Sequence, residues 1–278
     1  EAISSATLLF ELYSENLLNI NLAITTNQEI SLEDKELIKK VKLNGGTISN
    51  HSHSHQSYWD LIENNFNDDF KKSKEIISEI SKSNSTTCVA PFHQSNELLI
   101  NSLDENDVQL LITGNSKYSP EHMIGIGGQI STENEIVLHS QQCMLHGDSW
   151  PDLKQIYIDS FNLCASRQAV FGYLDHPLSS RYDYGWGSYE KQVEAHTLLL
   201  NYFNSSFVVK SISHEDLSDW LKIRSLIELD FQNISNLSAN IKINELKKLK
   251  IHTTKSKRFK QCQVLYNNQI IRCRINYL

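Results

Sequence analysis

The chain has 278 residues, a formal net charge of −7 and 40% hydrophobic side chains, enough for one large domain and a small appendage. It contains no apolar run of about 18 residues or more, so nothing in it reads as a membrane-spanning helix, and ten Gly and four Pro are too few for a collagen-like or disordered chain. Residues 1–240 hold 16 Lys/Arg against 32 Asp/Glu, whereas residues 241–278 hold ten basic side chains against Glu245 alone. So acidic a body argues against nucleic acid as a partner, and the basic tail reads as a solvated face or a contact for an anionic surface.

Apolar spacing predicts a helix over 2–14, already under way where the chain opens on Glu1, followed by a strand-length run at 17–25. Ser31, with Asp34 three residues on, caps a helix that Gly45-Gly46 stops. A short strand at 47–50 leads to a long amphipathic helix at 57–81, with Trp59, Leu61, Ile62, Phe66, Phe70, Ile76, Ile77 and Ile80 on one stripe. Then come a strand at 86–90, a helix near 95–102, a strand at 108–112 and an irregular stretch at 114–150. A helix at 152–166, a strand at 169–174, a helix at 188–203, a strand at 207–212 and a capped helix from Ser213 complete the series. Strands alternating with helices of this length imply parallel βαβ units. After residue 224 the runs shorten, and the reading is a domain over 1–224 followed by a small basic all-β module over 225–278. The five cysteines are scattered without a CxxC spacing and read as buried thiols, with a Cys262–Cys273 bridge left open.

The strongest chemical signal is "SNHSHSHQSYW". Residues four apart on a helical turn share a face, so His51 and His55 can address one ion while His53 points away. Three of the eleven histidines fall within five residues at a strand end, where sites collect in parallel α/β folds; this favours a metal pair over a merely polar loop. "FGYLDHPLSS" puts His176 past another strand end, and "VAPFHQSN" does the same for Pro91, Phe92 and His93. "CMLHGDSWP" reads as a capped loop leading into a helix. His122, His139, His196, His214 and His252 lack partners in the pattern and read as structural.

These residues resemble the polysaccharide deacetylases, the NodB homology domain. "HSHSH" is similar to the family's H-[ST]-x-x-H metal motif, Pro91-Phe92 to the end of its R-x-P-[YF] motif, and "LDH" at 174–176 to its L-x-H motif. The resemblance implies a deformed (β/α) barrel and one divalent metal, usually Zn2+, held by an Asp and two histidines. His51 and His55 match those histidines and His176 the general acid. Ser52 would brace the metal loop, and Phe92 would line the sugar groove. Trp186, in an aromatic loop with Tyr182 and Tyr184, is a further candidate for stacking on sugar, with packing of the loop as the equal alternative. The implied reaction is deacetylation of an N-acetylated glycan by metal-activated water, and the implied setting is the cell envelope or the extracellular space.

Two departures stand out. The family's paired acids should precede the first helix, which places their strand upstream of Glu1, in a longer protein of which the chain would be a part. The Arg heading the third motif is replaced by Val89. Two alternatives follow: a degenerate relative that binds glycan without turnover, or a different metallohydrolase barrel (phosphoesterase or amidohydrolase) using an H-x-H pair.

Overall fold

The computed structural model describes residues 2–56, 63–93, 102–103, 105–114, 129–130, 136–141, 143–166, 170–178, 183–206, 209–225, 227–230, 240–243, 261–266 and 269–274. The chain divides into two compact units, Glu1–Ser218 and Asp219–Leu278, where the sequence reading divides it after residue 224.

In the first unit, strands β1 (Leu22–Ile24), β2 (Ile48–Asn50), β3 (Thr87–Val89), β4 (Leu110–Gly114), β5 (Gln129–Ile130) and β6 (Val137–Gln141) form one sheet in the order β1-β2-β3-β4-β6-β5. All neighbours are parallel except β5, which runs antiparallel to β6 at the edge. A separate parallel pair joins β7 (Cys143–Met144) to β8 (Tyr173–Leu174). The expected barrel is therefore open among the described residues: the six-stranded sheet and the β7–β8 pair share no ladder.

Helix α1 (Ala2–Glu15) comes first. Helix α2 (Leu32–Leu43) starts as its sequence dictates: the Ser31 hydroxyl accepts the Asp34 N–H, and the Asp34 carboxylate accepts the Ser31 N–H, which satisfies donors that a helix start leaves orphaned. It buries Leu37, Ile38 and Val41 against Ile48 and Ile77. Helix α3 (Glu63–Ser81) turns Phe66 and Phe70, four residues apart, onto Cys88, Ala90 and Leu111. Its expected first turns, with Trp59, Leu61 and Ile62, lie outside the described residues, as does most of the expected 95–102 helix. Helices α4 (Trp150–Ser166) and α5 (Tyr189–Ser206) pack a second core, in which Phe161 and Phe203 stack at 4.1 Å.

The stretch read as irregular holds β5, β6 and β7. Conversely, 209–212 forms no strand although Val209 and Ile212 are β-formers; residues 207–208 lie outside the described set. Side chains dock it instead. The Ser211 hydroxyl accepts the Asn19 N–H (2.7 Å), and the Asn21 amide donates to Ile212 O (3.3 Å) while its oxygen accepts the N–H groups of Thr47 (2.9 Å) and His214 (3.2 Å).

Helix α6 (His214–Ser225) spans the division between the units. In the second unit the described strands form two antiparallel pairs: β9 (Ile227–Asp230) with β10 (Asn240–Ile243), and β11 (Gln261–Tyr266) with β12 (Gln269–Arg274). Cys262 and Cys273 are register partners in the latter. The rest of the expected all-β module lies outside the described residues.

Candidate active site at the ends of the parallel strands

Three strand ends supply the site. At the end of β2, the His51 N–H continues the ladder to Ile24 O (3.0 Å), and its ring Nδ1 lies 2.7 Å from Val89 O. A carbonyl can only accept, so Nδ1 carries the proton and Nε2 keeps its lone pair. Burial, opposed by that bond and reinforced by nearby His55, His176 and His93, pushes the His51 pKa down to about 4. The ring is thus neutral near pH 7, the form that coordinates metal. The His55 ring lies 5.0 Å away, and burial lowers its pKa as well.

The loop between the two histidines is tightly held. Ser52 (φ +69°) and His55 (φ +53°) are both left-handed, a conformation that costs free energy in a non-glycine residue. The Ser52 hydroxyl accepts the His55 N–H (2.9 Å), and the buried Asn50 side chain accepts the Ser52 N–H (2.8 Å). Asp69, on α3, accepts the N–H groups of both His53 and Ser54 at 2.8 Å. Nothing local in sequence pointed to Asp69; it reaches the loop only because α3 packs back on the sheet. His53 is tied to the Thr26 hydroxyl (2.9 Å) rather than paired with His51 or His55.

At the end of β3, Pro91–His93 makes a single 3-10 turn with Phe92 (φ +54°) and His93 (φ +58°) left-handed. Pro91 is buried, whereas Phe92 is 56% exposed with its ring 4.9 Å from that of His55. His93 Nε2 lies 3.5 Å from the Met144 sulfur, and its Nδ1 is buried without a partner.

At the end of β8, the His176 ring lies on Tyr184 at 4.1 Å and 12° from parallel, with His146 at 6.5 Å. Burial pushes its pKa down to about 4, against the pull of Asp175, and its Nδ1 is buried without a partner. Asp175 accepts from the His176 N–H (2.8 Å), Gln192 Nε2 (2.6 Å), His196 Nε2 (2.9 Å) and Trp186 Nε1 (3.2 Å). His196 passes the network through Nδ1 to the Tyr13 hydroxyl (2.8 Å), which meets Tyr173. Trp186 is only 2% exposed. The expectation that it stacks on a sugar is corrected: it is a core residue whose indole N–H holds Asp175.

Close backbone crossing brings His146 and Tyr184 to His176. The Gly147 N–H donates to Tyr184 O (2.8 Å), and a Cβ on Gly147 would overlap the backbone of Gly185 and Trp186. Gly185 (φ +76°) has no room for one either, since Asp148 fills the space. His196 and His214 serve the interior, the latter against Ser49 (2.8 Å). Tyr182 lies outside the described residues.

For a divalent ion, His51 has the tautomer that metal-bound histidines require, fixed by a carbonyl, and His55 lies beside it. The third ligand is another matter. Among the described residues, no three His, Cys, Asp or Glu side chains stand together as a metal site. A strand does precede β2 within the chain, namely β1, which pairs with it in parallel and continues into Thr25-Thr26-Asn27. The strand expected upstream of Glu1 is the one that carries the paired acids; within the chain, hydroxyls stand where β1 ends.

Residues 14–111 match the family model described as polysaccharide deacetylase, a stretch that begins ahead of β1 and ends within β4. No curated protein matches the chain. A protein from Mycobacterium smegmatis described as a polysaccharide deacetylase superposes with a TM-score of 0.58 at 13% identity, covering 80% of this chain and 78% of that one. The Xyl-CE4 domain of a multidomain xylanase from the hindgut metagenome of Trinervitermes trinervoides gives 0.50 at 10% identity, covering 79% and 86%. A 4-alpha-glucanotransferase from Thermococcus litoralis gives 0.55 at 11% identity, covering 75% and 35%. What these structures share with the chain is the fold, and a fold alone does not name a chemistry.

Proposed function

From the match of residues 14–111 to the polysaccharide deacetylase family model, hydrolases of non-peptide amide bonds, we propose that the chain deacetylates an N-acetylated glycan with a divalent metal, Zn2+, held by His51 and His55. The observation that carries this reading is the His51–Val89 bond, which leaves Nε2 as a lone pair beside His55. The bound metal would supply Lewis-acid polarisation of the acetamide carbonyl and a lower pKa for water. Phe92, exposed on its strained turn, offers the sugar an apolar face, and Pro91 fixes that turn. The parallel strands β2 and β3 supply the ends on which these residues sit.

His176 does the proton work. Its ring starts neutral, because burial holds its pKa near about 4, so it first accepts the proton of the attacking water. As the water oxygen bonds to the carbonyl carbon and the C–N bond breaks, the same proton passes to the departing amine, which leaves acetate and a free amino sugar. A polysaccharide substrate sets the protein in the cell envelope or outside the cell.

The test is acetate release from N-acetylglucosamine oligomers with Zn2+ added. Activity should vanish on chelation and fall at least about 100-fold in His51→Ala and in His176→Ala. Equal turnover by metal-free protein would sink the reading. A second reading, glycan binding without turnover, is favoured by Thr25-Thr26, since hydroxyls rather than carboxylates directly follow β1. It expects oligomer binding with no acetate release by the unaltered chain, and release gained by the Thr25→Asp/Thr26→Asp variant.

A further inference from the structure

We infer that Cys262 and Cys273 are joined by a disulfide that staples β11 to β12. The inference stands apart from the histidine site and from any metal.

Placement carries it. Cys262 and Cys273 stand directly opposite each other in an antiparallel ladder whose register runs unbroken from Gln261↔Arg274 to Tyr266↔Gln269. Opposed residues in such a ladder hold their Cα atoms about 4.5 or 5.5 Å apart, according to whether the pair exchanges hydrogen bonds. A disulfide spans Cα separations of about 4.4 to 6.8 Å. Either kind of pair therefore admits the bridge without parting the strands.

The residue pattern favours this register over its neighbours. Alternation puts Cys262, Val264, Tyr266, Ile271 and Cys273 on one face of the ladder, and Gln261, Gln263, Arg272 and Arg274 on the other with Leu265 and Ile270. A slip of one residue would set Cys262 opposite Arg272 or Arg274 and mix the two faces. A ladder of two strands is marginal alone, and the described strands of this unit form two such pairs. A covalent tie between opposed residues supplies what so small a sheet lacks.

Charge favours the chemistry as well. Residues 241–278 hold ten basic side chains against Glu245 alone, and Arg272 and Arg274 flank Cys273 in the chain. Positive surroundings favour the thiolate, the form that attacks a disulfide. Cys88, Cys143 and Cys164 are buried thiols, and burial pushes Cys143 up to about 12, which leaves it inert. The oxidant is a small or protein disulfide. One thiolate of the pair attacks it, forming a mixed disulfide and expelling one thiol. The second thiolate then attacks the mixed disulfide, closing the Cys262–Cys273 bond and expelling the other thiol. Two electrons and two protons pass from the pair to the oxidant.

The experiment equilibrates the full chain with mixtures of reduced and oxidised glutathione, quenches with acid, and alkylates in guanidinium with iodoacetamide. In about equal millimolar amounts of the two forms, more than about nine-tenths of the molecules should be bridged. These should carry three alkyl groups, on Cys88, Cys143 and Cys164, and five after reduction. Mass spectrometry of a digest should show a linked pair of peptides holding Cys262 and Cys273. The equilibrium constant for closure, read from the glutathione ratio at half closure, should fall about 10-fold or more when equilibration is done in guanidinium, where the ladder is gone. Five alkyl groups without reduction, glutathione on both cysteines, or chains linked into dimers through them would each overturn the bridge. So would closure as favourable in guanidinium as in the folded chain, since the register would then contribute nothing.

Discussion

The imidazole of His176 lies flat on the phenol of Tyr184, centroids 4.1 Å apart and planes 12° from parallel. Stacking fixes the ring where neither of its nitrogens need be tied down, and it excludes the water that would otherwise let the ring charge. Tyr184→Phe should therefore keep acetate release within about 3-fold, as the stacked face is retained. Tyr184→Ala should lose about 1 kcal/mol of folding stability and let the His176 pKa rise toward that of a free imidazole, read by NMR titration of its ring protons. An unchanged titration in Tyr184→Ala would show that the stack does not govern the proton.

The pH dependence of folding has a definite sign. His51 and His176 titrate near about 4 when folded, below the usual imidazole value, in both cases chiefly through burial. Between those two values the unfolded chain takes up protons that the folded protein refuses. Stability is complete above the unfolded pKa and is lost as pH falls toward the folded one. Each ring contributes at most about 1.4 kcal/mol per pH unit across that window. Urea unfolding of metal-free protein at several pH values should show this slope, and His51→Gln with His176→Asn should flatten it.

Asp175 and His196 form a buried pair, with side chains only 3% and 4% exposed. Removing one partner strands the other and leaves Gln192 Nε2 and Trp186 Nε1 without their acceptor. Asp175→Ala should cost about 3 kcal/mol or more, measured as a lowered urea midpoint with an unchanged m-value. A loss under about 1 kcal/mol would mean that water replaces the carboxylate at little cost.

Gly185 occupies a left-handed position with Asp148 packed into the place of a Cβ. Gly185→Ala should destabilise by more than about 1 kcal/mol, from backbone conformation and overlap together. It should also loosen the crossing that seats Tyr184 beside His176, so activity should drop alongside the melting temperature. By contrast, Gly187→Ala meets only the flexible end of Lys191 and, though also at positive φ, should cost less.

Parts of this were legible in the residues alone. The α2 cap could be read because its box is local, closed within four residues. The His51/His55 pair could be read because a strand end and a four-residue spacing are local too. Trp186 could not: an aromatic in a glycine-rich loop looks like a surface residue until Asp175, eleven residues earlier, is found to hold its N–H. Asp69 and Gly147 were likewise invisible, since each acts across a long stretch of chain. The strand at 17–25 was located, but its order in the sheet was not. Only pairing with β2 shows that it is the edge strand beside the histidine loop.

The docking of residues 209–214 on 19–21 has a consequence of its own. A backbone ladder repeats every two residues, so a one-residue slip turns every side chain to the opposite face. Asn19, Asn21 and Ser211 impose no such repeat. Along this border the chain can absorb an insertion or deletion by re-pairing a single amide, and it can part from its neighbour without unzipping a strand. Amide hydrogens there should exchange sooner than those of β2 and β3, whose residues are buried and laddered on both sides.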